Sequence, residues 1–153
     1  MTLMPFEEFD TRELFARLIQ CEAGGEGEAG MRGVATVIMN RANAEFGEFA
    51  RVSQGGNVRN ILVQDRQFVC MQPVVGGIPN PQNVYNMNPT AEHYAIVDWA
   101  LGGGIQSGVD NSLFFMNPYS PQCPAFFPTR VGVIHNRVGD HCFYIPTSYY
   151  PTT

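Results

Sequence analysis

The stretch CEAGGEGE, residues 21–28, lies between two segments that both carry a helical pattern of apolar residues. In the segment before it, residues 10–21, apolar side chains recur every three or four positions, which predicts an amphipathic helix. Gly24 and Gly25 follow, and a glycine just past a helix end often supplies the left-handed backbone that closes the last turn. Glu22 is therefore expected in the final turn, at the negative end of the helix dipole.

Glu22 is the candidate for acid chemistry in this stretch. The helix dipole contributes roughly 0.3–1 kcal/mol, which raises a carboxyl pKa by less than about one unit. A glutamic acid that keeps its proton near neutral pH needs a shift of about two units, so Glu22 also has to be buried in an apolar cleft. Its small, uncharged neighbours Cys21 and Ala23 permit such burial. The alternative is a solvated side chain at a frayed helix end.

Two further carboxylates follow in the same stretch. Residues 28–43 predict a second helix, and Glu28 in its first turn suits the positive end of that helix dipole. Glu28 is therefore expected to be structural. Glu26 lies in the glycine-rich connection, where it is either exposed or directed into the same cleft as Glu22.

The composition is that of an ordinary globular chain. Its 153 residues, 44% hydrophobic and 15% charged, suit one domain around a single core, and 16 glycines with 11 prolines predict a loop-rich fold. The net charge is −5 and the 9 basic residues, all arginines, are scattered singly, which argues against nucleic acid as a partner. Lysine is absent, which excludes a lysine nucleophile, a lysine Schiff base and a P-loop.

The chain shows no targeting or membrane signal. Residues 1–10 lack a basic region followed by an apolar run, and no apolar run approaches the length of about 18 residues that a membrane helix needs. We therefore expect neither a signal peptide nor a membrane span.

The cysteines at positions 21, 70, 123 and 142 share no CxxC spacing. This pattern favours neither a zinc ribbon nor a thioredoxin-like redox pair, and it predicts mainly buried thiols. A disulfide between Cys123 and Cys142 stays open, because its formation requires an oxidising compartment and a short separation that the sequence does not reveal.

The remaining segments alternate short regular elements with long connections. Helices are predicted at 57–64 and 91–101, a short strand or extended piece at 67–71, a surface loop at 72–89, strands at 112–116, 131–134 and 141–145, and an extended aromatic loop at 118–128. Gln67 either hydrogen-bonds a ligand amide or satisfies loop backbone. Tyr85 and Met87 either pack on sugar rings or hold their loop on the core.

An ordered set of short motifs connects these segments to a known family. They are Glu22-Ala23-Gly24-Gly25-Glu26, Asn40-Arg41 at a helix end, Gln67-Phe68, Ser112-Leu113-Phe114-Phe115, Cys123-Pro124 and His141-Cys142-Phe143-Tyr144-Ile145-Pro146-Thr147. Taken together, the set resembles the spore cortex-lytic cell wall hydrolases of the SleB/CwlJ type. The closing motif is similar to the CwlJ branch in particular.

The resemblance implies an α+β fold, a small lysozyme-like or lytic-transglycosylase-like domain. Its helices are expected in the N-terminal two thirds and its short antiparallel strands near the C-terminus. The single catalytic domain is expected at residues 11–147, between an N-terminal arm at 1–10 and a C-terminal tail at 148–153.

The resemblance also implies a function, which is cleavage of the glycan strands of peptidoglycan in the spore cortex during germination. Glu22 corresponds to the catalytic acid, and the supporting or substrate-binding candidates are Glu26, Asn40, Gln67, Phe68, His141 and Tyr144. The expected substrate is the muramic-lactam-containing cortex glycan, and neither a cofactor nor a metal is expected. The protein would be made in the mother cell cytoplasm and placed at the boundary of spore coat and cortex, where a coat protein is a possible anchor.

Three alternatives remain open at this stage. The first is a cysteine-dependent peptidoglycan amidase or peptidase using Cys21 and His141, which is disfavoured because a helix C-terminus opposes thiolate formation. The second is a non-catalytic coat protein that only binds peptidoglycan. The third is a zinc site formed by Cys123, His135, His141 and Cys142, whose spacing matches no standard pattern.

Overall fold

A computed structural model describes residues 6–153, in which helices come first and a small sheet comes last. The α-helices are α1 (Thr11–Ala23), α2 (Gly27–Ala42), α3 (Gly47–Ser53), α4 (Val58–Leu62) and α5 (Ala91–Leu101). The strands are β1 (Val74–Val75), β2 (Ile78–Pro79), β3 (Phe114–Met116), β4 (Gly132–Val138) and β5 (His141–Pro146). This order confirms the α+β class, with helices in the N-terminal part and antiparallel strands near the C-terminus.

Helix α1 begins and ends close to its predicted limits. The Asp10 carboxylate accepts a hydrogen bond from the Glu13 backbone N–H at 2.8 Å, which satisfies one of the free donors of the first turn. The predicted left-handed Gly24 is wrong, because this residue keeps right-handed helical angles and its N–H still bonds the Gln20 carbonyl. The left-handed glycine is Gly27, with φ of 81°, at the start of α2.

Helix α2 is the central element, and it contacts α1, α3, α4, α5 and the sheet. Its buried residues cover most of its circumference, so it has apolar neighbours on several sides. Gly33 allows the sheet to approach, since a Cβ atom at this position would lie only 2.7 Å from the Phe143 ring. The position of β5 therefore depends on a glycine in the middle of α2.

The three-stranded antiparallel sheet has the order β3-β5-β4. β5 lies in the middle, and its residues from His141 to Tyr144 are all buried. A register shift between Ile134 and Asn136 interrupts the pairing of β4 with β5. The strand β5, which begins at His141, is thus held in place by a strand on each side.

One local prediction is wrong, and one helix was not predicted. Residues 67–71 do not form a strand, because Val69–Met71 is a 3₁₀ turn closed by the Phe68 and Val69 carbonyls. The segment before residue 56 contains α3, which the polar, glycine-bearing sequence did not indicate. Its helix is held by tertiary packing, since the Phe49 side chain is buried against Tyr150 and Phe114.

Both cysteine pairs form disulfides, and the prediction of buried thiols is wrong. Cys21 at the end of α1 bonds Cys70 in the 3₁₀ turn, and the sequence could not show that these two segments meet. Cys123 bonds Cys142, which answers the question left open for that pair. Each disulfide ties an irregular segment to a helix or strand.

The division into arm, domain and tail stays a prediction, and residues 1–5 of the arm lie outside the described residues. Phe6 stacks on Tyr85 with ring centroids 5.3 Å apart, so Tyr85 holds its loop to the N-terminal segment. Tyr150 in the tail is buried, and its hydroxyl accepts a hydrogen bond from the Phe49 N–H. Among residues 6–153, no helix is both long and apolar enough to cross a membrane.

Candidate active site

Glu22 lies in the last turn of α1 and lines a cleft of about 400 Å³. The helix end, the 3₁₀ turn and the sheet meet around this cleft. Its lining residues are Cys21, Glu22, Arg41, Gln67, Phe68, Val69, Cys70, Asn80, Gln82, Phe115, Met116, Asn117, Tyr119, Phe127 and His141. Within the described part of the chain, Glu22 is the one carboxylate that lines the cleft.

Burial raises the pKa of the Glu22 carboxyl above its ordinary value. The neighbouring His141, a hydrogen bond from the Cys70 backbone N–H and the charge of Arg41 act in the opposite direction, and Glu26 adds to the rise. Desolvation is the largest of these effects. The carboxyl thus has the environment that retains a proton for transfer to a substrate, while the opposing groups support its ionised form.

Glu26 and His141 form a buried side-chain pair at the cleft. Glu26 Oε2 contacts His141 Nδ1, and the two side chains are only 7% and 4% exposed. The other carboxylate oxygen, Oε1, accepts a hydrogen bond from the Asp140 backbone N–H at 2.9 Å. The sequence left Glu26 either exposed or in the cleft, and the structure shows a third arrangement, in which Glu26 holds the ring of a cleft residue.

Gln67 and Phe68 both line the cleft, as their motif suggested. The Phe68 ring is buried and stacks on Phe115 with centroids 6.2 Å apart, which forms an apolar floor. Gln67 is half-buried, and among the described residues its side-chain amide has no hydrogen-bond partner. That amide is free to bond a polar group of a substrate.

Asn40 and Tyr144 lie outside the cleft and act on its surroundings. Asn40 Nδ2 donates to the carbonyls of Asp110 and Ser112 at 2.8 and 2.9 Å, which fastens the segment before β3 to α2. The Tyr144 hydroxyl donates to the Pro124 carbonyl at 2.9 Å, which fastens the loop after β3. Both residues hold a loop next to the site without lining it.

Arg41 is a cleft residue that the sequence analysis did not single out. Its side chain is only 4% exposed, Nε donates to the Leu113 carbonyl at 2.8 Å, and the guanidinium lies 4.3 Å from the Phe49 ring centroid. Burial lowers its pKa to about 10, against the opposing effect of Glu48, Tyr150 and Glu22. The sequence signal for this residue was its place in the Asn40-Arg41 motif at the end of α2.

Two loops, which the sequence analysis predicted at 72–89 and 118–128, form walls of the cleft. On one side, Gln82 Nε2 donates to the Cys21 carbonyl at 2.9 Å, and Asn80 Nδ2 donates to the Gln72 carbonyl at 3.0 Å. On the other side, residues 117–127 follow β3 and contribute aromatic groups, Tyr119 and Phe127. The cleft thus combines amides with aromatic faces, a lining that suits sugars with their hydroxyls and apolar C–H faces.

The disulfides remove two of the alternatives. Cys21 is bonded to Cys70, so it provides no thiolate for a cysteine peptidase or amidase. Cys123 and Cys142 are bonded to each other, so they provide no thiolates for the proposed zinc site.

Comparison with protein families identifies the chain. The model described as Cell Wall Hydrolase matches residues 25–144, which is most of the sequence. The chain belongs to this family. The match begins just after Glu22, so it covers most of the segments that line the cleft but not Glu22 itself. The role of the Glu22 carboxyl is therefore argued from its position and environment.

Individual relatives support the family and the fold. The cell wall hydrolase CwlJ of Bacillus subtilis is 29% identical over 89% of this chain and 85% of its own, and CwlJ of Oceanobacillus iheyensis is 31% identical over 89% and 86%. The catalytic domain of the germination-specific lytic transglycosylase SleB from Bacillus anthracis superposes with a TM-score of 0.60 at 21% identity, covering 90% of this chain and 98% of that one. The catalytic domain of Bacillus cereus SleB gives 0.60 at 22% identity, covering 87% and 88%. The resemblance to the SleB/CwlJ type and the lytic-transglycosylase-like fold are thereby confirmed.

Proposed function

We propose that this cell wall hydrolase cleaves the glycan strands of peptidoglycan, with Glu22 as general acid and then general base. The observation that carries the proposal is a carboxyl with a raised pKa on the surface of a cleft that combines amides with aromatic rings. A protonated carboxylic acid next to a glycosidic oxygen can donate its proton as the bond to that oxygen breaks.

The number of carboxylates favours transglycosylation over hydrolysis. Glycosidases with two carboxylates place the second about 5–9.5 Å from the first, as nucleophile or as base for water. In the described residues Glu22 has no such partner in the cleft, and the nearby Glu26 is engaged with His141 and Asp140. One carboxyl must therefore perform both proton transfers.

The proposed reaction uses the sugar's own hydroxyl as nucleophile. Glu22 gives its proton to the bridging oxygen while the bond from that oxygen to C1 breaks, and an oxocarbenium-like centre develops at C1. The Glu22 carboxylate then takes the proton of the C6 hydroxyl, whose oxygen bonds C1. The products are one strand with a free hydroxyl and one with a 1,6-anhydro end, and no water is consumed.

The other site residues support this chemistry. We assign two tasks to His141, which is held by Glu26: it shapes the cleft beside Glu22, and it stabilises the ionised form of Glu22. The positive charge of Arg41 stabilises that ionised form as well. The free amide of Gln67 is placed to bind a sugar substituent, and Phe68 forms an apolar floor. Asn40 and Tyr144 act at a distance by fixing loops.

The biological setting of the proposal follows the relatives. The Bacillus anthracis domain comes from a germination-specific lytic transglycosylase, and the relatives from Bacillus subtilis and Oceanobacillus iheyensis are cell wall hydrolases named CwlJ. We propose that this chain acts on muramic-lactam-containing cortex glycan during germination. We further propose that it lies at the boundary of coat and cortex, where a coat protein anchors it.

Fragment analysis of cortex peptidoglycan tests the reaction. Wild-type protein is expected to release fragments with 1,6-anhydromuramic ends, at a rate that falls as the pH rises through the raised pKa of Glu22. Glu22→Gln is expected to fold, to bind glycan and to lose at least about 10²-fold in rate. Fragments with reducing ends would show that the reaction is hydrolysis and not transglycosylation. Equal rates for wild type and Glu22→Gln would refute the role of Glu22.

The same assay separates the enzyme from a non-catalytic glycan-binding protein. A pure binder would retain glycan and release no fragments, whether residue 22 is glutamate or glutamine. Sedimentation of the protein with purified glycan, run beside the fragment assay, distinguishes a binder from an unfolded variant.

A further inference from the structure

Tyr119 stands out among the aromatic residues of the described chain because its side chain is almost fully exposed. Its side chain is 90% exposed, whereas the other exposed aromatics are all covered to a greater extent. Phe46 contacts Tyr150, and Tyr85 contacts Phe6, but within residues 6–153 the Tyr119 ring has no aromatic or cationic neighbour. The fold therefore gains almost no stability from this ring.

The backbone at Tyr119 is also held in an unfavourable conformation. Its φ is 51°, in the left-handed region, where a bulky side chain is rare. The Asn117 side chain stabilises this turn, because its Oδ1 accepts a hydrogen bond from the Tyr119 N–H at 2.8 Å. Backbone strain of this kind persists where the surrounding structure enforces it, and it is concentrated at functional sites.

The surrounding loop is fastened at several points after Tyr119. Arg137 Nη1 donates to the Ser120 carbonyl at 2.9 Å, Cys123 is crosslinked to Cys142 in β5, and the Pro124 carbonyl accepts the Tyr144 hydroxyl. The ring is thus presented on a rigid support. A rigid aromatic side chain offers contact area at a low cost in conformational entropy.

Tyr119 lines the same cleft as Glu22, and Asn80 and Gln82 also line it. We infer that Tyr119 is a glycan-binding residue at the rim of this cleft, where its ring stacks on the apolar C–H face of a sugar in the bound strand. The inference rests on the proposed function, and it names a contact that sets the affinity for polymeric glycan. The amides of Asn80 and Gln82 suit the hydroxyl and N-acetyl groups of a glycan in the same cleft.

Binding measured without turnover tests this inference. Variants are made in the Glu22→Gln background, and their affinity for purified, protein-free cortex peptidoglycan is measured by sedimentation. Tyr119→Ala is expected to weaken binding about five-fold, the equivalent of losing the apolar contact of one ring face. Tyr119→Phe keeps the ring and is expected to bind like the parent. Tyr149→Ala, which changes an aromatic that is 56% exposed and outside the cleft lining, serves as the matched control.

Tyr119→Gly separates a binding role from a structural one. Glycine accepts the left-handed backbone, so this variant is expected to melt about 2–4 °C higher than the parent and still bind about five-fold more weakly. Affinity and melting temperature that fall together would overturn the inference, since that pattern belongs to a residue that holds its loop. If Tyr119→Ala binds glycan as tightly as the parent, the inference about Tyr119 is overturned and the proposed function is not affected. If the parent itself binds no glycan, both the inference and the proposed function are overturned.

Discussion

The buried pair of Glu26 and His141 makes a quantitative prediction about stability. Glu26→Ala removes one partner of a polar pair whose side chains are 7% and 4% exposed, and it also deprives the Asp140 N–H of its acceptor. Breaking a buried pair in this way costs about 3–5 kcal/mol, because the remaining polar group is left without a partner. For a domain of this size, each 1 kcal/mol lowers the melting temperature by about 2–4 °C, so a fall of about 10 °C is expected.

Glu28 provides the matched control, since it lies two positions away and carries the same side chain. Its carboxylate contacts Arg32 at 2.7 Å on the helix surface, and its side chain is 58% exposed. An exposed pair of this kind contributes about 0.3–0.5 kcal/mol, so Glu28→Ala is expected to change the melting temperature by about 1–2 °C. Glu26→Gln, which keeps an oxygen for the Asp140 N–H, is expected to lie between the two alanine variants.

Differential scanning calorimetry at neutral pH gives the comparison directly. A double-mutant cycle with Glu26→Gln and His141→Gln then isolates the interaction between the two side chains. Equal melting temperatures for Glu26→Ala and Glu28→Ala would refute the reasoning, because they would mean that the buried pair stabilises the fold no more than the exposed pair does.

Three further changes probe other parts of the structure. Glu22→Gln is expected to raise the melting temperature at pH 7, because burial raises the pKa of Glu22 in the folded state, so that ionisation is less favourable there than in the unfolded chain. The gain should vanish below about pH 4, where the carboxyl is protonated in both states, and calorimetry across pH checks this. Replacing Cys21 and Cys70 together by serine removes a crosslink that spans 49 residues, so the free energy of unfolding measured in urea should fall by up to about 4 kcal/mol. An unchanged midpoint of urea unfolding would contradict this prediction. Gly33→Ala places a Cβ atom 2.7 Å from the Phe143 ring, which is too close without a shift of the ring or the helix. The same urea titration should therefore show a free energy of unfolding that is lower by about 1–3 kcal/mol.

The order of elements was accessible from the sequence because its signals are local. The helix at Ala91–Leu101 has its predicted limits, and β3 and β5 follow from short apolar runs. Helix α3 was missed because its stability comes from Phe49 packing on distant rings, which no local pattern reveals. Gly24 was assigned the wrong backbone conformation because several glycines follow α1, and their order alone does not show which one reverses the chain.

The site was accessible only where a motif marked it. Glu22, Gln67, Phe68 and His141 meet at the cleft, and each belongs to a motif of the family. Arg41 also belongs to a quoted motif, but it was not among the site candidates because its burial, which separates it from the other arginines, is seen only in three dimensions.

Contacts between distant segments were beyond the sequence for a similar reason. The bond between Cys21 and Cys70 joins positions 49 residues apart, and no spacing rule links them. The pairing of Glu26 with His141 joins the start of α2 to the start of β5, and it required the sheet to be placed against the helices.

The two disulfides have a consequence for the maturation of the protein. Cys21 immediately precedes Glu22, and Cys142 immediately follows His141, so each crosslink lies next to a residue of the cleft. Helices α2 and α5 contain no cysteine, so neither crosslink restrains their contact directly. In a thiol-reducing compartment, by contrast, the segments on both sides of Glu22 and His141 would lose the crosslinks that hold them at the cleft.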